Sequence, residues 1–255
     1  MNRAKRINRI FEILKDKGNA STKFLSKLLD VSESTIRRDI EFLGSMNKKV
    51  QRVHGGVVLN SSKHDLEYMF ELKLNLNLEL KRRIARKLLD YVDDSDSLIV
   101  DSGTTCLYAS MELHHKEHLR VMTLDVKIAE ELAKYENIES IVVGGLIRPG
   151  YYTIGESLAL EMLDHFRVDK TILSADAIDL ENGVTNFSIF EVGVKKKIIE
   201  MAKTVILLAD HTKFGNTYFY KVANLSKFST IISTNELEKK FIDGIQEMGV
   251  HLVLA

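Results

Sequence analysis

The chain has 255 residues, 45% of them apolar, with 36 basic and 36 acidic side chains and a formal net charge of zero. That length exceeds what one small domain needs, and that apolar content supports packed cores rather than disorder. A single cysteine, Cys106, excludes an intramolecular disulfide framework and fits the reducing cytoplasm.

No Cys/His cluster has metal-ligand spacing, so neither a metal nor a cofactor is expected. No apolar run reaches the 18 residues a membrane helix needs, so no membrane partner is expected. Neutrality hides a division. Residues 1–60 hold 13 basic and 6 acidic side chains, net +7, which leaves −7 on the rest. A basic head on an acidic body confines polyanion contact to the head. The expected domains are residues 1–60 and 61–255, divided at the polar stretch Asn60-Ser61-Ser62-Lys63.

The opening MNRAKRINRIFEILK reads as an amphipathic helix and not as a signal peptide. Residues 21–57 then read as a helix-turn-helix followed by a glycine-tipped hairpin. Ser21 suits the N-cap of a first helix that buries Phe24, Leu25, Leu28 and Leu29. Asp30-Val31 makes the turn. Ser32 caps a second helix running to about Met46, with Glu33 in its first turn and Ile36, Ile40 and Leu43 as its buried stripe.

Ser34 and Arg38 lie opposite that stripe, with Thr35 and Arg37 on its flanks. The start of such a second helix enters the major groove, where hydroxyls and guanidinium groups suit base edges and phosphates. A hairpin over Lys48–Leu59, carrying Lys48, Lys49, Arg52 and His54 around Gly55-Gly56, makes the motif winged. The plainer alternative is a helical hairpin with a solvated basic face. Agreement of cap, stripe, charge and wing favours duplex DNA as the ligand.

A helix is expected over about Asp65–Asp90, with Ile84, Ala85, Leu88 and Leu89 as its apolar face. From residue 97, apolar runs alternate with amphipathic stretches. The expected strands are Leu98–Asp101, Arg120–Thr123, Ser140–Val143, Thr171–Ser174, Thr204–Ala209, Thr230–Ser233 and His251–Leu254. The expected helices are Thr105–Glu112, Lys127–Tyr135, Glu156–Phe166, Ile189–Met201 and Glu236–Met248. This alternation predicts an α/β fold on a mainly parallel sheet, whose ligands bind beyond the strand carboxyl ends.

Three strand ends carry chemistry. Asp101-Ser102-Gly103-Thr104-Thr105 precedes a helix and offers an anion cradle, although a plain capping turn would look the same. Gly144-Gly145 with Arg148 is a glycine turn beside a cation, or a tight turn with a surface arginine. Asp210 and Lys213, in ADHTKFG, put a carboxylate and an ammonium at one strand end. Glu191 and Lys195 stand four apart on one helix face, a spacing that most often supports the helix itself. Convergence of these groups on one edge favours a small anionic site.

The chain resembles the DeoR family of bacterial transcriptional regulators. The resemblance rests on VSESTIRRDIEFL and VHGG, then DSGTT, VGG with Arg148, GV with Glu191 and Lys195, and LADHTKFG, and it covers nearly the whole chain. It implies a cytoplasmic repressor of a carbohydrate operon whose body folds like sugar-phosphate isomerases. It further implies a phosphorylated sugar as effector and assembly into homodimers or homotetramers. Two departures flank the expected pocket mouth. Where the family usually has Thr-Asn, Thr123 is kept but Leu124 replaces the amide, with Asp125 next, and Ser174-Ala175-Asp176-Ala177 stands where relatives commonly place glycines. The alternative is an isomerase or hydrolase carrying a DNA-binding head, but no carboxylate is fixed by spacing as a catalytic base.

Overall fold

A computed structural model describes residues 3–46, 50–59 and 68–255. The chain forms two compact units, Met1–Leu76 and Asn77–Ala255. Lys48, Lys49 and the Asn60–Lys63 stretch lie outside the described residues.

The first unit contains α1 (Arg3–Lys17), β1 (Asn19–Ser21), α2 (Thr22–Leu29), α3 (Glu33–Met46), β2 (Val50–Val53), β3 (Gly56–Leu59) and α4 (Tyr68–Asn75). Ile7, Ile10 and Leu14 of α1 share one helix face and are fully buried. The α3 stripe of Ile36, Ile40 and Leu43 is buried as expected. Both α1 and α2 pack on α3, and the strands form an antiparallel β1-β3-β2 sheet. On α2 the expected core is only half right. Phe24 is 40% and Leu28 49% exposed, because the eight-residue helix turns Thr22, Leu25 and Leu29 inward and leaves those two on the adjoining face. Phe24 instead carries the Lys17 ammonium 5.0 Å from its ring centroid.

The second unit runs α5 (Leu78–Leu88), β4 (Ser97–Val100), α6 (Thr104–Glu112), β5 (Leu119–Thr123), α7 (Val126–Leu132) and β6 (Ile138–Val142). There follow β7 (Leu146–Ile147), β8 (Ile154–Gly155), α8 (Glu156–Leu163), β9 (Val168–Ser174), β10 (Ala177–Asp179) and β11 (Gly183–Asn186). It closes with α9 (Val192–Met201), β12 (Ala202–Leu208), β13 (Tyr220–Ala223), β14 (Thr230–Ser233), α10 (Lys239–Glu247) and β15 (His251–Leu254).

All seven expected strands join one sheet in the order β15-β14-β12-β9-β4-β5-β6, and every pairing in it is parallel. The chain builds outward from β4 through β5 to β6, then returns to lay β9 on the other side of β4. Strand order therefore reverses between β4 and β9, and a doubly wound sheet opens a crevice at such a point. Among the described residues, no helix is long and apolar enough to cross a membrane, and no group of His, Cys, Asp and Glu side chains could hold a metal.

Three expectations need correction. The single helix over Asp65–Asp90 is two, because Asn77 adopts a left-handed φ of 55° between α4 and α5, and residues 65–67 are not described. Leu89 is only half-buried, in a short 3-10 turn after α5. Helix α9 starts at Val192, after a 3-10 turn at Ile189–Glu191, so Glu191 caps it instead of lying within it. The sequence reading also missed the β10-β11-β13 sheet and the β7-β8 hairpin.

Candidate functional site

At the head, Ser32 behaves as the N-cap. Its Oγ accepts from the Thr35 amide at 3.3 Å and lies 2.9 Å from the Ser34 and Thr35 hydroxyls. Ser34, Arg37 and Arg38 are exposed, and Thr35 is half-buried. Local bonds order both arginines: Arg38 Nε donates to the Ser34 carbonyl at 3.4 Å, and Arg37 donates to Glu33 at 3.4 Å. On the wing, Arg52 and His54 are exposed, and Arg52 donates to Glu41 of α3 at 2.5 Å. That ion pair ties the β2-β3 hairpin to α3. The opposite side of α3 is fixed by a contact the sequence did not reveal. Buried Asp39 accepts from Arg6 of α1 at 2.5 Å.

In the second unit the switch point gathers the first group of expected residues. Asp101, Ser102, Thr104 and Thr105 are buried where β4 hands over to α6. Gly103 caps that helix with φ 102°, a conformation other residues rarely adopt, and a Cβ there would sit 3.0 Å from Ser174 Oγ. Asp101 accepts from the Ser174 amide at 3.2 Å and from Lys195 Nζ, and Ser174 Oγ donates to the Ser102 carbonyl at 2.8 Å. Lys195 also donates to the Ser174 carbonyl at 3.3 Å. Ser174, the end of β9, is thus the hub, a role that its place at the end of an expected strand did not reveal. Burial pulls the Lys195 pKa down, but Asp101 and Glu191 outweigh it, so the ammonium stays above the ordinary lysine range.

A second group adjoins the first. Glu191 Oε1 accepts from Arg148 at 2.6 Å, and Glu191 Oε2 accepts from Asn186 Nδ2 at 3.0 Å. Burial raises the Glu191 pKa, against the pull of Lys195 and Arg148, while Asp176 adds to the rise. The expected Glu191–Lys195 pairing along one helix is replaced by these longer-range bonds, because Glu191 precedes α9. Arg148 stacks 3.7 Å from the centroid of Tyr151.

The glycines Gly144 and Gly145 are exposed and serve the backbone. The Gly144 amide lies 3.1 Å from Met162 Sδ, and a Cβ on Gly145 would meet Ile154 at 2.9 Å. Asp210 is buried at the end of β12, accepting from the Thr212 amide and hydroxyl at 2.9 and 2.5 Å. Lys213 is half-buried on the same turn. The bonds of Asp210 thus stay within its own turn, where the Thr212 hydroxyl also accepts from Asn77 at 3.3 Å.

Asp125 also reaches the α6 start. Its Oδ2 accepts from the Gly103 amide at 3.1 Å, while Oδ1 caps α7 through Lys127 and Ile128. Burial raises its pKa, partly offset by those three amides. A carboxylate in a Thr-Leu-Asp run just after a strand was the signal available for it.

Known proteins place this architecture. Residues 6–63 match the DeoR-like helix-turn-helix domain, and residues 76–235 match the DeoR C terminal sensor domain. A protein of Escherichia coli (strain K12), named for transcriptional regulation of the sgc region, is 39% identical over 252 residues, 99% of this chain and 96% of its own. The glycerol-3-phosphate regulon repressor of the same organism is 32% identical over 231 residues, 91% of this chain and 90% of its own. A ribose 5 phosphate isomerase A from Neisseria gonorrhoeae aligns over 53% of each chain with a TM-score of 0.41 and 17% identity, and no reading of activity rests on it. This chain belongs to the DeoR family of transcriptional regulators.

Proposed function

We propose that the protein is an operator-binding repressor released or recruited by a phosphorylated sugar or polyol, and that it binds this effector without turning it over. Ser32, Ser34, Thr35, Arg37 and Arg38 would contact duplex DNA from α3, with Arg52, His54, Lys48 and Lys49 from the wing. Operators with two half-sites are read by symmetric assemblies, so the working form is a homodimer or homotetramer built through the body. The relative named as a glycerol-3-phosphate regulon repressor supports an effector of this class.

One observation carries the effector reading. Helix α6 starts at the switch point with Ser102, Thr104 and Thr105 in or beside its first turn, and Lys195 is buried against Asp101 next to them. First-turn amides, hydroxyls and a nearby cation are the groups that hold a phosphate in an otherwise acidic body. Gly103, Gly144, Gly145 and Arg148 would shape the mouth, and Glu191, Lys195, Asp210 and Lys213 would face the hydroxylated chain. A regulator needs coupling of only about 1–3 kcal/mol between effector and operator, which differential binding supplies without catalysis.

The test is thermal unfolding with phosphorylated and unphosphorylated forms of the same sugars, alongside a product assay. A site filled at a hundredfold excess over Kd stabilises the fold by about 2.7 kcal/mol. Stabilisation only by the phosphorylated forms, with no product, supports the proposal. Equal stabilisation by both forms, or turnover, refutes it.

A further inference from the structure

Asn186, at the end of β11, is 1% exposed, and one half of its side chain is accounted for. Nδ2 donates to Glu191 Oε2 at 3.0 Å. That bond fixes which way the carboxamide points, since the flipped amide would set oxygen against oxygen. Oδ1 is therefore turned away from Glu191. Among the described residues it has no hydrogen-bond partner. A buried carbonyl oxygen without a donor is costly to the fold, and such orphans gather where a ligand or water completes the bond.

The surroundings select the donor. A phosphate or carboxylate brings only acceptors to Oδ1 and would meet the Glu191 carboxylate beside it. An ammonium would crowd two cations already bonded in this region, Arg148 to Glu191 and Lys195 to Asp101. A neutral hydroxyl fits both restrictions. It can donate to Oδ1, and the remaining lone pairs of Glu191 can take a neighbouring hydroxyl.

We propose that Asn186 is a ligand-recognising residue whose Oδ1 accepts a hydrogen bond from a hydroxyl on the carbon chain of a sugar or polyol phosphate. This assignment rests on the effector reading above and deepens it. It separates the ends of the ligand: phosphate at the α6 start, hydroxyl-bearing chain at Asn186, Glu191 and Arg148. A pocket with a buried acceptor discriminates strongly against an analogue that lacks the matching hydroxyl.

The experiment is calorimetric titration of the full-length wild type and of Asn186→Ala. Three pairs serve as probes: ribose 5-phosphate with 2-deoxyribose 5-phosphate, glucose 6-phosphate with 2-deoxyglucose 6-phosphate, and glycerol 3-phosphate with propyl phosphate. The wild type is expected to bind the hydroxylated member of at least one pair about five- to a hundredfold tighter than its partner. Asn186→Ala is expected to bind both members of that pair with the affinity the wild type shows for the deoxy compound. That retained binding also reports an intact site. Discrimination unchanged in Asn186→Ala, absent from the wild type, or lost together with deoxy binding, overturns the Asn186 assignment alone. Failure of the wild type to bind any of the six overturns the effector reading and the assignment with it.

Discussion

Lys195 of α9 and Asp101 at the end of β4 are 94 positions apart in the chain, and they form a salt bridge with side chains 3% and 1% exposed. The pair joins the two strands at the sheet's switch point, because Ser174 of β9 bonds to both partners. A buried charge left alone is far more costly than the pair is beneficial. Lys195→Met is accordingly expected to destabilise the second unit by about 3–5 kcal/mol. Adding Asp101→Asn, which keeps an acceptor for the Ser174 amide, should recover most of that loss in urea unfolding. A double variant as unstable as the single one would show that the pair is not what holds the strands.

Arg37→Ala and Arg38→Ala should each weaken operator binding while leaving the fold within about 0.5 kcal/mol of wild type, because both side chains are exposed and off the buried stripe. Titration at several salt concentrations separates two roles. An arginine on a phosphate lowers affinity evenly across sequences and reduces the salt slope by about 0.9. One on a guanine edge relaxes preference at a single base pair by about 1–3 kcal/mol. Unchanged affinity in both variants would remove α3 from the DNA interface.

Thr104→Val keeps the volume of a buried side chain and removes its hydroxyl, and Lys213→Ala removes a cation. Each is expected to abolish the effect of sugar phosphates on operator affinity while DNA binding itself persists. Gel-shift titration with and without the wild-type effector measures both quantities. A wild-type response in both variants would place the phosphate elsewhere.

Much of this arrangement could be read from residue order, and the remainder could not for physical reasons. The seven strands of the parallel sheet were legible because central strands buried on both faces appear as short apolar runs. Ser32 and the Ile36, Ile40, Leu43 stripe were legible because capping and helical period are local. Strands β10, β11 and β13 are short and mixed in polarity, as GVTN shows, so no periodicity marked them. Asn186 escaped notice for the same reason. Arg6–Asp39 and Lys195–Asp101 link residues 33 and 94 positions apart, and only the packed fold brings such partners together. The misplaced Phe24 and Leu28 show the converse: apolar spacing indicates a helix face but not how wide a face its neighbours cover.

Acid should unload the second unit in a definite direction. Asp169 is held well below the ordinary carboxylate pKa of 3.8, first by the Ser97 hydroxyl and then by Lys203 and the Ser97 amide. Asp93 and Asp164, on Lys170 and Lys197, shift the same way. A group whose folded pKa is depressed stabilises the fold above its unfolded value and loses that contribution as pH falls through the folded one. Stability should thus decline below about pH 4, and Asp169→Asn should decline less steeply over that range. Parallel acid limbs for the two proteins, followed by circular dichroism, would show that Asp169 is not a main contributor.

The central claim is that a sugar or polyol phosphate bound in the second unit changes the affinity of the first for its operator. Fluorescence-anisotropy titration of the full-length protein on the DNA upstream of its own gene, at fixed salt, tests it most directly. In the presence of a phosphorylated sugar that stabilises the protein, operator Kd should change by about 5- to 150-fold, corresponding to 1–3 kcal/mol of coupling. The unphosphorylated sugar should leave it unchanged. An operator Kd that stays the same with effector bound at saturation would contradict the claim.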